Sequence, residues 1–373
     1  MQIQVPTLLL DKERCLKNIQ LMLDKAAQNQ IELRPHFKTH QSHEVGRWFR
    51  DLGVKKIAVS SLRMAAYFAA DGWEDITVAF PTNILEIDLI NSLASKIKLN
   101  LLIQSKETLL FLEAHLSAPI CGFIKIDLGT KRTGIEGDNF ELLDDLIVTI
   151  EGSRQLVFSG FLGHAGHSYH ARGFEEIKMV HEEAMAKMSL VYHYYQNTHP
   201  NISISIGDTP TCSQMSSFDF VTELRPGNFV FYDLMQTNIA ACSVDQIAVA
   251  VACPIVALHP ERNEVIIYGG GIHFSKEVYS HPNYGNCYGL VVADDNSDSK
   301  NGWSSPIPNT YISKLSQEHG VVSCSAAFME SCSIGQIIKI LPVHSCMTAN
   351  LLQQIFTTEG ERLQMMPTLY TPI

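Results

Sequence analysis

Up to about residue 235 this chain alternates short β-rich runs with amphipathic stretches, and no other feature narrows its fold so far. The runs fall at 31–37, 56–60, 76–80, 97–103, 122–127, 156–163, 202–206 and 218–223. Between them apolar residues recur three or four apart, as at Leu16, Ile19, Leu23 and Ala26, the spacing of a helix with one buried face. Asp11 is positioned to cap the first of these helices. Strands that alternate with helices pair in parallel, because each crossover returns the chain to the same end of the sheet. Eight such units predict a (β/α)8 TIM barrel over 10–237 in preference to an open doubly wound sheet.

Beyond about residue 240 the texture changes. Segments 247–257, 264–268, 289–293, 336–341 and 351–356 are β-like and are separated by turn residues rather than long helices. They predict a second, mainly antiparallel β domain made of 1–9 and 238–373, with the polar stretch 296–302 as a hairpin tip. A formal net charge of -11 argues against nucleic acid and anionic membrane surfaces as partners. No run of eighteen apolar residues offers a membrane span. Leu8-Leu9-Leu10 is bounded by Pro6 and by Asp11-Lys12-Glu13-Arg14, unlike a signal peptide. Nine cysteines scattered without disulfide spacing fit reduced thiols in a cytoplasm.

Arg34-Pro35-His36-Phe37-Lys38-Thr39-His40 sets a lysine at the end of the first barrel run, where such folds carry their chemistry. A partly desolvated amine there can form a Schiff base with a carbonyl compound or with pyridoxal phosphate. Asp127-Leu128-Gly129 and Arg132-Thr133-Gly134 end the fifth run; Arg132 can meet a phenolate or carboxylate oxygen, or pair with Asp127 instead. Gly163-His164-Ala165-Gly166-His167-Ser168-Tyr169-His170 ends the sixth, and three histidines with a tyrosine on a glycine-rich loop are hard to explain by packing.

Ser205-Ile206-Gly207-Asp208-Thr209-Pro210-Thr211 closes the seventh run, where backbone N–H groups can converge on a phosphate. Glu223-Leu224-Arg225-Pro226-Gly227-Asn228 supplies the eighth loop, with Gly227 and Asn228 offering N–H groups and Arg225 fixed ahead of Pro226. In the second domain, Leu341-Pro342-Val343-His344-Ser345-Cys346 ends a strand run. Residues two apart on a strand share a face, so His344 and Cys346 can bind one zinc ion and leave positions for water and substrate.

Taken in order across nearly the whole chain, Pro35-His36-Phe37-Lys38-Thr39-His40, Gly163-His164-Ala165-Gly166-His167-Ser168-Tyr169, Gly207-Asp208-Thr209-Pro210, Glu223-Leu224-Arg225-Pro226-Gly227-Asn228 and His344-Ser345-Cys346 resemble the D-serine dehydratase / D-threonine aldolase family of fold-type III pyridoxal phosphate enzymes. The resemblance implies an alanine-racemase-like barrel with a C-terminal β domain, assembled as a homodimer. It implies that Lys38 is the Schiff-base lysine, that Thr209, Gly227 and Asn228 contact the cofactor phosphate, and that Arg132 lies near its phenolic oxygen. Tyr169 and Arg225 compete for the pyridine nitrogen. His344 and Cys346 look like the metal ligands.

The family's dehydratases carry a pair resembling His-x-Cys and its aldolases one resembling His-x-Asp, so this chain reads as a dehydratase of a D-3-hydroxy amino acid, D-serine first. A thiolate favours zinc over manganese. Lys38 and His167 are the candidate catalytic residues; in the alternative, a D-threonine aldolase, His167 or His170 would take the hydroxyl proton. D-threo-3-hydroxyaspartate is a rival substrate, its second carboxylate needing a basic partner such as Arg63 or His40. An amino-acid racemase is less favoured, since Gly269-Gly270-Gly271-Ile272-His273-Phe274 has a histidine where a second-base tyrosine is sought. A non-catalytic pyridoxal phosphate carrier would need no metal pair.

Overall fold

The computed structural model of the chain describes residues 2–295 and 302–367. It divides into two compact units, one made of 20–38 and 46–227, the other of the segments up to 19, 39–45 and from 228 onward. The first strand, β1 (Thr7–Leu10), belongs to the second unit. The helix Lys12–Gln28 starts where expected, with Asp11 Oδ1 accepting from Arg14 N at 3.0 Å. Among the described residues no helix is long and apolar enough to cross a membrane.

The first unit is the expected barrel. Its strands are β2 (Glu32–Leu33), β3 (Lys56–Val59), β4 (Asp75–Pro81), β5 (Lys98–Ile103), β6 (Ile120–Ile126), β7 (Leu156–Gly163), β8 (Ser203–Ile206) and β9 (Glu223–Leu224). They pair in parallel in the order β2-β9-β8-β7-β6-β5-β4-β3. A bridge closes the ring just beyond β2: Phe37 N donates to Ala58 O at 2.8 Å and Ala58 N to Pro35 O at 3.0 Å. Pro35 has no N–H for a continuous ladder, so β2 is shorter than the run 31–37 suggests. The run 218–223 likewise shrinks to β9, because Phe220 takes φ 53° and leaves the extended region. Phe218 and Val221 bury their side chains from a loop instead.

Inside the barrel, Leu102, Phe123 and Leu162 from three adjacent strands form a core cluster. Arg34 spans strands by ion pairs to Glu223 (2.7 Å) and Asp75 (2.6 Å). The loop after β8 approaches Arg225 so closely that a Cβ at Gly207 would lie 2.5 Å from the Arg225 carbonyl carbon, and only glycine fits.

In the second unit the strands are β10 (Val249–His259), β11 (Glu264–Tyr268), β12 (Tyr279–His281), β13 (Gly285–Cys287), β14 (Gly289–Asp294), β15 (Trp303–Leu315), β16 (His319–Ser323), β17 (Ile337–Pro342), β18 (Ile355–Thr357) and β19 (Arg362–Leu363). Strands β10, β11, β16, β15, β14 and β17 pair antiparallel in a closed ring. Strand β1 runs antiparallel to β10 and parallel to β18. The mainly antiparallel character is as expected, but β15 and β16 have no counterpart among the expected runs. Segment 351–356 is not one strand: the helix Ser345–Leu352 takes its first residues and β18 its last. The expected hairpin tip at 296–302 lies, but for Gly302, outside the described residues. Segment 39–45 is held within this unit by Met366 N donating to Gln41 O (2.7 Å) and by Gln41 Nε2 to Asn350 Oδ1 (3.2 Å).

Candidate functional site

Lys38 owes its position to the residue before it. Phe37 is buried against Phe49, Phe68 and Trp73, with ring centroids 5.2, 4.9 and 5.2 Å away. Lys38 is turned to the exposed side, and its N–H donates to His36 Nδ1 at 3.3 Å.

The histidine loop after β7 separates its three imidazoles by environment. His164 Nδ1 is hydrogen-bonded to Gly207 O, so Nδ1 carries the proton and Nε2 is an acceptor. Burial, reinforced by the positive charges of Arg225, Lys38 and Lys125, pushes its pKa down to about 3, and the ring stays neutral. His167 packs on Gly129, whose φ of +117° leaves no room for a Cβ, and its Nδ1 is buried without a hydrogen-bond partner. His170 is exposed.

Arg225 is held by its strand neighbours through two of its nitrogens: Nη2 donates to Gly163 O and Nε to Ser205 Oγ, each at 2.6 Å. Burial lowers its pKa to about 10, which leaves it charged. Lys125 is the last residue but one of β6, buried, with Nζ donating to Ile126 O at 2.6 Å. Burial, together with the nearby Arg225 and Arg132, lowers its pKa to about 7. Arg132 is exposed, and among the described residues it makes no salt bridge to Asp127, whose Oδ1 accepts from Gly129 N and Lys131 N instead. The barrel thus concentrates Lys38, Lys125 and Arg225 near one neutral imidazole, with Arg132 beside Lys125, an environment suited to an anionic ligand.

Thr209 opens the short helix Thr209–Gln214, capped by Asp208, which accepts from Thr211 N (2.9 Å) and Ser168 Oγ (2.7 Å). Thr209 N donates to Tyr169 OH at 3.2 Å, while Thr209 Oγ1 is buried and has no hydrogen-bond partner. An orphaned buried hydroxyl beside this cationic cluster fits an anionic oxygen of a cofactor phosphate, and in that respect the residues fit pyridoxal phosphate.

His344 and Cys346 are held differently from the strand reading. Strand β17 ends at Pro342, His344 is the residue before the helix Ser345–Leu352, and Cys346 lies in its first turn. The two come together across a helix start, not by alternation along a strand. His344 Nδ1 is hydrogen-bonded to Glu277 Oε2 at 2.7 Å, so Nε2 is the nitrogen left for the Cys346 side chain, to which the ring is also bonded. Burial alone would lower the His344 pKa, but the bonds to Cys346 and Glu277 push it up to about 11. Cys346 Sγ lies 3.2 Å from Thr39 Oγ1 and 3.4 Å from Asn228 Nδ2. An imidazole and a thiol sharing a bond are a donor set that fits zinc. Among the described residues no third His, Cys, Asp or Glu joins them in a metal-ligating group.

Asn228 is used otherwise than expected. Its Nδ2 is given to Asp233 Oδ2 (2.7 Å), Ser345 Oγ (3.0 Å) and Cys346 Sγ, so any contact with a cofactor falls to its backbone N–H or to Oδ1, which is buried and without a partner. Sequence reading assigned no role to Lys125, although a lysine inside an otherwise apolar strand was a visible signal. Nothing in the sequence marked Glu277.

Residues 10–234 match the family described as alanine racemase, N-terminal domain, and residues 248–358 match the putative serine dehydratase domain. The barrel and its site define the class: a fold-type III, alanine-racemase-like protein. The chain belongs to the alanine racemase N-terminal-domain family, in the branch whose C-terminal part is a serine dehydratase domain. It is 29% identical to D-serine dehydratase of Dictyostelium discoideum over 91% of this chain and 88% of that one. It is 26% identical to D-serine dehydratase of Schizosaccharomyces pombe over 96% and 89%. The structure of D-threo-3-hydroxyaspartate dehydratase from Delftia sp. HT23 superposes with a TM-score of 0.89 at 25% identity, covering 98% of both chains.

Proposed function

We propose that this chain is a pyridoxal phosphate- and zinc-dependent lyase that dehydrates and deaminates a D-3-hydroxy amino acid, D-serine in the first place, to pyruvate and ammonia. The observation that carries the reading is the pair of His344 and Cys346. Each is oriented by further residues, and both lie in the stretch that matches a serine dehydratase domain. The thiolate favours zinc over manganese.

Lys38 would hold the cofactor covalently, with Thr209, Gly227 and Asn228 toward its phosphate and Arg132 toward its phenolic oxygen. The bond from Thr209 N draws Tyr169 to the phosphate end, which leaves Arg225 for the ring nitrogen. A cation there keeps that nitrogen unprotonated. When bound, the cofactor supplies an electron sink for charge developing at the substrate α-carbon, and zinc supplies a Lewis acid for the β-hydroxyl. With the cofactor bound, the Lys38 amine would be the base that takes the substrate's α-proton. His167, with Nδ1 uncommitted, is the second candidate for proton transfer, at the β-oxygen. His164 is neutral and can only accept at Nε2, so it orients rather than protonates.

The similarity to the Delftia enzyme favours a second reading, in which the substrate is D-threo-3-hydroxyaspartate. Its extra carboxylate needs a cation. His40 is fully buried and burial holds its pKa near 3, so it cannot serve; Arg63, on the helix Leu62–Ala70, can. A homodimer is the assembly this reading implies, and nine cysteines, none of them in a disulfide, support a reducing cytoplasm.

The test is product analysis of the protein loaded with pyridoxal phosphate and zinc, on D-serine, D-threonine and 3-hydroxyaspartate. Keto acid and ammonia, lost on chelation, are expected, and the fastest substrate identifies the enzyme. Glycine and an aldehyde would overturn the reading in favour of an aldolase.

A further inference from the structure

We propose that Glu277, Thr39 and Asn228 form an outer shell that orients the His344 imidazole and the Cys346 sulfur for a shared metal ion. The inference rests on reading His344 and Cys346 as ligands of a divalent cation. Two protein ligands, the number found among the described residues, gain little from chelation, so the orientation of each must be fixed by other groups.

Glu277 fixes the imidazole. Its Oε2 lies 2.7 Å from His344 Nδ1 and accepts that nitrogen's proton in a hydrogen bond, so Nε2, the nitrogen turned to Cys346, is the one a cation would take in place of a proton. A carboxylate on the far nitrogen also makes the ring a stronger donor. Thr39 and Asn228 fix the sulfur. The Thr39 hydroxyl lies 3.2 Å from Cys346 Sγ, and a thiolate, which cannot donate, requires that hydroxyl to donate.

Asn228 Nδ2 has two protons for three neighbours. Asp233 Oδ2, at 2.7 Å, takes one; Ser345 Oγ at 3.0 Å and Cys346 Sγ at 3.4 Å share the other. Asp233 holds this arrangement by also accepting from Ser345 N (2.9 Å) and Ser345 Oγ (3.1 Å). Ser345 thereby spends its hydroxyl proton on Asp233 and presents its lone pairs to Asn228. Two donors thus converge on one sulfur and a carboxylate backs the imidazole.

Zinc affinity of the full-length protein, measured by competition with a chromophoric chelator, tests the imidazole arm. One zinc per chain is expected, with Glu277→Gln about 10–100-fold weaker at unchanged stoichiometry. The cobalt-substituted protein tests the sulfur arm. Loss of a donor raises the energy of the sulfur electrons, so Thr39→Val should move the sulfur-to-cobalt charge-transfer band to longer wavelength, while Thr39→Ser leaves it in place. Should Glu277→Gln fail to fold, Glu277→Asp takes its place with the same expected direction. Affinity unchanged at Glu277, or a band unmoved in Thr39→Val, would overturn the shell. Zinc bound as tightly by His344→Ala and Cys346→Ser as by the parent would instead overturn the ligand reading itself.

Discussion

Arg34 Nε lies 2.7 Å from Glu223 Oε2, and both side chains are 2% exposed. The pair joins neighbouring barrel strands four residues before Lys38 and two before Arg225, so it fixes the register of the strand ends that carry both. Glu223 also accepts from Ser205 Oγ at 2.6 Å. Removing one partner of a buried pair leaves the other charge uncompensated. Arg34→Met, which strips the buried Glu223 of its cation, should cost about 3–5 kcal/mol in urea unfolding; Glu223→Gln should cost less, because Asp75 still pairs with Arg34.

Lys38→Ala should abolish keto acid formation and remove the visible absorbance of lysine-linked cofactor. Far-UV circular dichroism should be unchanged, since the exposed side chain contributes little to packing.

His344→Ala should keep that absorbance and lose elimination. Lewis-acid assistance is worth several kcal/mol, so pyruvate formation from D-serine should fall by at least about 100-fold. Pyruvate formed at the parent rate would dismiss the metal role.

Tyr169→Phe deprives Thr209 N of its acceptor within the protein. A hydrogen bond of this kind is worth about 0.5–1.5 kcal/mol, so cofactor retention should weaken by roughly 2–10-fold, read by equilibrium dialysis.

His164 and His40 are both buried with pKa values pushed down to about 3. The sign follows from proton binding: below about pH 6.5 the unfolded chain protonates these rings while the folded one does not. Their neutral burial is without cost above pH 6.5, and stability falls as the pH drops from there toward 3, by up to about 1.4 kcal/mol per unit for each ring. His164→Asn, which keeps a donor for Gly207 O, should flatten that slope in denaturant titrations between pH 6.5 and 4.

The barrel was legible because its signal is local: β7 falls where the β-rich run does, and Asp11 caps the helix that follows it. It failed where one residue overrode the pattern, as Pro35 does in β2 and Phe220 does before β9. The loops that carry Lys38, Thr209 and Arg225 could be found because each follows a strand end, a position the fold makes chemical. His344 and Cys346 meet at a helix start and not along a strand, and a two-residue spacing does not tell the one from the other. Glu277 could not have been found, because its meaning lies in a 2.7 Å contact with a residue far along the chain. The neutrality of His164 was equally hidden, being set by surrounding cations that come from other strands.

Strand β1 stands between β10 and β18, pairing Leu8 with Val251 on one side and with Ile355 on the other. Of the described residues, some of the earliest to leave the ribosome are therefore partners of some of the last. The barrel's hydrogen bonds join strands that emerge earlier, whereas Thr7–Leu10 must keep one edge unpaired until the final strands are made. One edge of β1 accordingly stays open after β10 has paired with the other, and a truncated product lacking β18 would keep it open.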